Sequence, residues 1–97
     1  MRYFNWNSEK NEILKRTRNI SFEDVLYYLE NGLIIDIIEY PNQKKYKGQK
    51  IFVLYIGGYI YLIPFIENED EYFLKTIIPS RKDTKKYLKP DGENENK

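Results

Sequence analysis

The chain has 97 residues, enough for one hydrophobic core but not two. It carries a net charge of only +1 and contains no cysteine and no histidine. Those absences exclude a disulfide framework, a thiolate zinc site and a cysteine nucleophile, and they remove the usual general base near neutral pH.

In chain order, Tyr3 to Trp6 is aromatic and reads as a short first strand. Ser8 is the expected N-cap of a helix over about 9–18, with Ile13 and Leu14 as its apolar face. Asn19 suits the left-handed conformation that ends helices. Ser21 and Asp24 then match a capping box, which predicts a second helix over about 22–31. Its buried stripe is Phe22, Val25, Leu26 and Leu29, and Gly32 ends it.

From Leu33 the β-branched run predicts a strand to about Tyr40, broken by Pro41-Asn42. A lysine-rich loop follows, then a strand over 51–56. Gly57-Gly58 is a two-residue hairpin signal, and Tyr59 to Ile66 is the returning strand. Pro64 cannot donate a ladder bond, so it predicts a bulge or an edge position. Tyr72 to Ile78 is the last strand. Ser80 caps a final helix over about 81–88, and residues 90–97 read as a disordered acidic tail. The expected class is α+β. Two N-terminal helices cover one face of an antiparallel sheet of about four strands, leaving the opposite face free for a ligand or partner. Residues 1–89 make the single domain.

Charge is distributed unevenly. Lys44, Lys45, Lys47 and Lys50 cluster without an acid, and Arg81, Lys82, Lys85, Lys86 and Lys89 are opposed locally by Asp83 alone. Separated basic regions can form an anion site on a nearly neutral protein. Solvated loops and a solvated helix also account for the same runs and are favoured on the charge runs alone, and cations near a helix C-terminus also complement the macrodipole. Tyr46 within the Lys44–Lys47 cluster suits single-stranded RNA, with cations on phosphates and the ring on a base. The ring could equally pack beneath the loop. Tyr55, Tyr59, Tyr61 and Tyr72 fall in strands, where most tyrosines serve packing. In the last helix, Arg81 and Lys85 share one face, Lys82, Lys86 and Lys89 a second, and Thr84 and Tyr87 a third.

Three segments carry a family likeness. Phe4-Asn5-Trp6-Asn7-Ser8-Glu9-Lys10-Asn11, Ile20-Ser21-Phe22-Glu23, and Ile77-Ile78-Pro79-Ser80-Arg81 with Thr84 stand in that order. In these the chain resembles the BrnT-like toxins of bacterial type II toxin–antitoxin modules, a branch of the RelE/ParE superfamily. Their family counterparts are Phe-x-Trp-Asp-x-x-Lys, Val-Ser-Phe-Glu, and Ile-Ile-Ser-Ala-Arg followed by Ala-Thr. The resemblance implies a RelE-like fold and a cytoplasmic ribonuclease that cleaves mRNA, possible also on the ribosome. It implies a cognate antitoxin in a hetero-oligomer, operator DNA bound only through that antitoxin, and no membrane partner. Where the family has Lys-His-Gly after the first helix, this chain has Thr17-Arg18-Asn19.

No metal or cofactor is expected, because RNA can be cut by its own 2′-hydroxyl. On that reading Arg81 is the phosphate clamp, since its planar fork can hold two oxygens. Lys82, Lys85 and Lys50 add positive field at the reacting group, and Tyr87 is the candidate for proton transfer or stacking. Lys44, Lys45, Tyr46, Lys47 and Lys86 complete the expected RNA contacts. The alternatives are a non-catalytic binding protein of the same fold, or a toxin with another target such as a topoisomerase.

Overall fold

In the computed structural model, which describes residues 3–88, a single mixed sheet organises the chain. Lys89 and the expected acidic tail lie outside the described residues. The elements run β1 (Tyr3–Trp6), α1 (Ser8–Arg18), α2 (Phe22–Glu30), β2 (Asp36–Glu39), β3 (Lys50–Ile56), β4 (Tyr59–Glu67), β5 (Glu71–Leu74), β6 (Ile78–Pro79) and α3 (Arg81–Leu88). The sheet order is β1-β5-β4-β3-β2, with β6 beside β4. The class is α+β. The sheet has six strands rather than about four, and it is not wholly antiparallel, because β1 pairs in parallel with β5.

Local chemistry accounts for the helix ends. Asn7, not Ser8, caps α1: its side-chain oxygen accepts from Lys10 N at 2.8 Å. Asn19 ends that helix at φ 55°. Ser21 and Asp24 form the full capping box of α2. Asn11, buried on α1, braces the two helices. Its Oδ1 accepts from Phe22 N at 2.7 Å, and its Nδ2 donates to Glu23 Oε1 at 2.8 Å.

The helices bury Leu14, Phe22, Val25 and Leu29 against Phe52, Leu54, Ile63, Phe65, Leu74 and Ile77. Each such large apolar side chain contributes about 1.5–3 kcal/mol when fully buried. Leu26, expected on the same stripe, is only half-buried. Phe52, whose register partner is Ile63, and Phe65, opposite Lys50, are diagonal neighbours on this face, and their rings stack with centroids 3.9 Å apart.

The central hairpin forms as the glycines demand, with both Gly57 and Gly58 at positive φ (60° and 87°). Pro64 lies in a central strand, and the expected bulge is there. Phe65 pairs with Leu74 while Leu62 pairs with Ile78, so three steps along β4 match four along its neighbour. The Pro64 carbonyl accepts from Lys75 N, so its missing N–H faces the same neighbour. The ladder is interrupted where the donor is absent, which divides the expected last strand into β5 and β6. Arg18 donates from Nη1 to the carbonyl of Ile77 within that bulge.

β2 is shorter than the expected Leu33–Tyr40 run. Ile35 N bonds to Val53 O while Val53 is already the register partner of Asp36, so regular pairing begins only at Asp36. No helix among the described residues is long and apolar enough to cross a membrane.

Candidate nucleic-acid interface

The second sheet face is not left free. A smaller cluster of Ile51, Val53 and Ile60 lies there, and Tyr40, Leu62 and Tyr87 pack on it. Tyr87 comes from α3, so the basic helix itself covers part of this face.

Strong local bonds dock α3. Ser80 Oγ accepts from Asp83 N at 3.1 Å and donates to Asp83 Oδ2 at 2.7 Å, capping the helix as expected. The Thr84 hydroxyl donates to Ser80 O at 2.7 Å and accepts from Ile60 N at 2.8 Å. Ser80 N in turn donates to Ile60 O at 3.0 Å. Both backbone groups of Ile60 thus hold the start of α3 against β4. With Thr84 and Tyr87 turned to the sheet, helical spacing turns Arg81, Lys82, Lys85 and Lys86 to solvent, and all four are exposed. Among the described residues, none of the four lies in an ion pair. Lys86 Nζ sits 5.3 Å from the Tyr87 ring centroid.

The lysine-rich loop is built rather than slack. Gln43 Nε2 donates to Tyr40 O at 2.6 Å, and Gln43 Oε1 accepts from Gly48 N at 3.1 Å. Asn42 Oδ1 accepts from Lys45 N, and Asn42 O accepts from Tyr46 N. Tyr46 takes the packing alternative: its ring stacks on Tyr40 at 4.1 Å, with Lys45 Nζ 5.4 Å from its centroid. One face of that ring is therefore already covered. Lys44, Lys45 and Lys47 remain exposed. Because Tyr40 and Tyr87 meet the same small cluster, the loop and α3 lie on one side of the sheet.

Lys50 does not join them. It pairs with Phe65 across the β3–β4 ladder, on the face of α1 and α2, and its Nζ is 3.7 Å from Glu67 Oε1. The next residue, Ile51, points to the α3 side, and strand alternation sends Lys50 the other way.

Asp36 was not singled out from the sequence. Its Oδ2 accepts from the Tyr87 hydroxyl at 3.2 Å, and its Oδ1 accepts from Ile37 N at 2.8 Å. The available signal was a lone carboxylate inside Ile34-Ile35-Asp36-Ile37-Ile38. Burial pushes the Tyr87 phenol above its ordinary pKa, and the Asp36 carboxylate adds to that shift. Tyr87 therefore keeps its proton at neutral pH. It can donate that proton but is a poor base. Of the strand tyrosines, Tyr61 and Tyr72 pack on the main core, whereas Tyr55 is exposed.

No protein-family model, curated protein or solved structure matches this chain.

Proposed function

We propose that the chain is a toxin of the BrnT-like branch, acting on mRNA and neutralised by a cognate antitoxin. The observation that carries the reading is α3. It is held at its start by Ile60 and turns four exposed cations outward, on the same side as Lys44, Lys45 and Lys47. Four cations within six residues repel one another, and a phosphate backbone relieves that repulsion. The segment likeness supplies the toxin class.

Cleavage would need no metal. The 2′-hydroxyl gives its proton to solvent water as its oxygen attacks the adjacent phosphorus, the P–O5′ bond breaks, and a 2′,3′-cyclic phosphate and a 5′-hydroxyl result, with Tyr87 reprotonated by solvent. Arg81 clamps the non-bridging oxygens, and Lys82 and Lys85 offset the growing phosphorane charge. Tyr87, held protonated, donates to the leaving 5′-oxygen.

A second reading has a specific observation in its favour. Tyr87 is half-buried with its hydroxyl already on Asp36, and Lys50 is across the sheet, which suits RNA binding without cleavage.

Induced expression with mapping of transcript ends tests the first reading. The wild type should arrest growth and create new 5′ ends, while Arg81→Ala should do neither and keep the wild-type circular dichroism. Toxicity undiminished in Arg81→Ala would overturn the assignment of that residue. Cleavage of purified RNA that survives EDTA supports the metal-free route. Tight binding with no cut under any condition supports the second reading.

A further inference from the structure

The sheet ends at β2, and that edge has the features of a docking strand. Tyr40 N bonds to Gln49 O in the β2–β3 register, so Asp36, Ile38 and Tyr40 direct their backbone groups to β3. Ile37 and Glu39 therefore turn theirs outward. The edge is also apolar: Leu33, Ile35, Ile37 and Ile38 are exposed, Ile37 at 50%. Proteins usually blunt such an edge with lysine, proline or a covering element. Among the described residues, the blunting at this edge is slight: the Asp36 carboxylate on the N–H of Ile37, the irregular pairing of Ile35 and Asp36 on Val53, and Pro41 just past the strand. Beyond the strand lies an open depression of about 410 Å³, lined by Tyr28, Leu33, Ile34, Ile35 and Tyr55 among others.

We infer that β2 accepts an added strand from a partner protein, a segment reading basic–apolar–apolar–basic. The strand itself reads Asp36-Ile37-Ile38-Glu39, acid at both ends and isoleucine between. Added main chain pairs with the outward groups of Ile37 and Glu39, taking over the Ile37 N–H that the Asp36 carboxylate now accepts from. Two central apolar residues meet the isoleucines, and flanking cations meet the acids in either strand direction. A further apolar side chain fills the depression. A second copy of this chain fits less well, because two-fold pairing of β2 puts the two Glu39 carboxylates diagonally across the ladder. Asp36 links this strand to Tyr87 of α3, but the inference does not rest on RNA as the ligand.

The test titrates the ¹⁵N-labelled chain with two synthetic hexapeptides, Thr-Lys-Val-Val-Lys-Thr and its twin with glutamate for lysine. The lysine peptide should shift the Ile37 and Glu39 amides and bind about tenfold more tightly than its twin, as two exposed ion pairs in place of two repulsions allow. Glu39→Lys should narrow or reverse that preference. Ile37→Lys, at a half-exposed position, should abolish binding and leave the melting curve unchanged. Equal affinity for the two peptides would overturn the inference, as would absence of any shift at β2. Sedimentation that finds a dimer removed by Ile37→Lys would overturn it in favour of a second copy.

Discussion

Thr84 illustrates how much one hydroxyl fixes at the interface. It donates to Ser80 O and accepts the strand N–H of Ile60, so it is both part of the helix and its anchor. Valine has the same shape without the hydroxyl. Thr84→Val leaves the part-buried Ile60 N–H without its acceptor, which costs about 1–3 kcal/mol. Urea unfolding should report that loss, and Thr84→Ser should recover most of it by restoring the oxygen. Tyr87 obeys a different balance. Its hydroxyl bond to Asp36 is exposed to water, so Tyr87→Phe should cost less than about 1 kcal/mol, while Tyr87→Ala also strips the ring from Ile51, Val53 and Ile60 and should cost more. If Tyr87 is the proton donor, Tyr87→Phe should lose RNA cleavage while staying folded. Cleavage at the wild-type rate would remove Tyr87 from the mechanism.

At the scale of elements, Asn11 joins α1 to the start of α2. Asn11→Ala strands the buried Phe22 N–H and should cost about 1–3 kcal/mol in urea unfolding. The brace also sets a pH dependence. The Asn11 amide on the Glu23 carboxylate holds its pKa below the ordinary value, with partial burial acting the other way. A folded value below the unfolded one stabilises the fold above the unfolded pKa. That stability is lost as pH falls through the folded value. Acid should therefore lower the urea midpoint of the wild type, and Asn11→Ala should flatten that part of the profile. Glu23→Gln should flatten it too. Equal acid sensitivity in all three would show that another carboxylate dominates.

Most ends of these helices were legible in the sequence because capping is local: Ser21 with Asp24 and Asn19 act within a few residues, while the start of α1 falls on Asn7 instead of Ser8. Pro64 was legible as a bulge or an edge position for the same reason, since a missing N–H needs no knowledge of the partner strand, and the structure decides for the bulge. The parallel pairing of β1 with β5 was not, because it joins Tyr3 to Glu71 across most of the chain. Nor was the side chosen by Lys50. Alternation gives its parity relative to Ile51, but only the third dimension says that α3 lies on the Ile51 side. The Tyr40–Tyr46 stack and the Tyr87–Asp36 bond escaped the sequence for the same reason, and these contacts most change the reading of the candidate site.

For the whole molecule, a net charge of +1 gives little long-range attraction, so any affinity for RNA must come from where the cations sit. The helix offers Arg81, Lys82, Lys85 and Lys86, and the loop offers Lys44, Lys45 and Lys47, on one side of the sheet. Each phosphate neutralised on a single strand changes the slope of log affinity against log salt by about −0.7. Engagement of the helix alone therefore predicts a slope of about −3, and engagement of both groups about −5. Fluorescence anisotropy with a labelled uridine oligonucleotide across a salt series measures it. Alanine at the three loop lysines should make the slope shallower by about 2 if one strand runs over both groups. A slope unchanged by that triple variant would confine the RNA to α3. Lys50→Ala serves as the internal control: its ammonium faces the other side beside Glu67, so the slope should stay as in the wild type. A shallower slope in Lys50→Ala would mean that the strand wraps the sheet edge, and the one-sided interface would then be wrong.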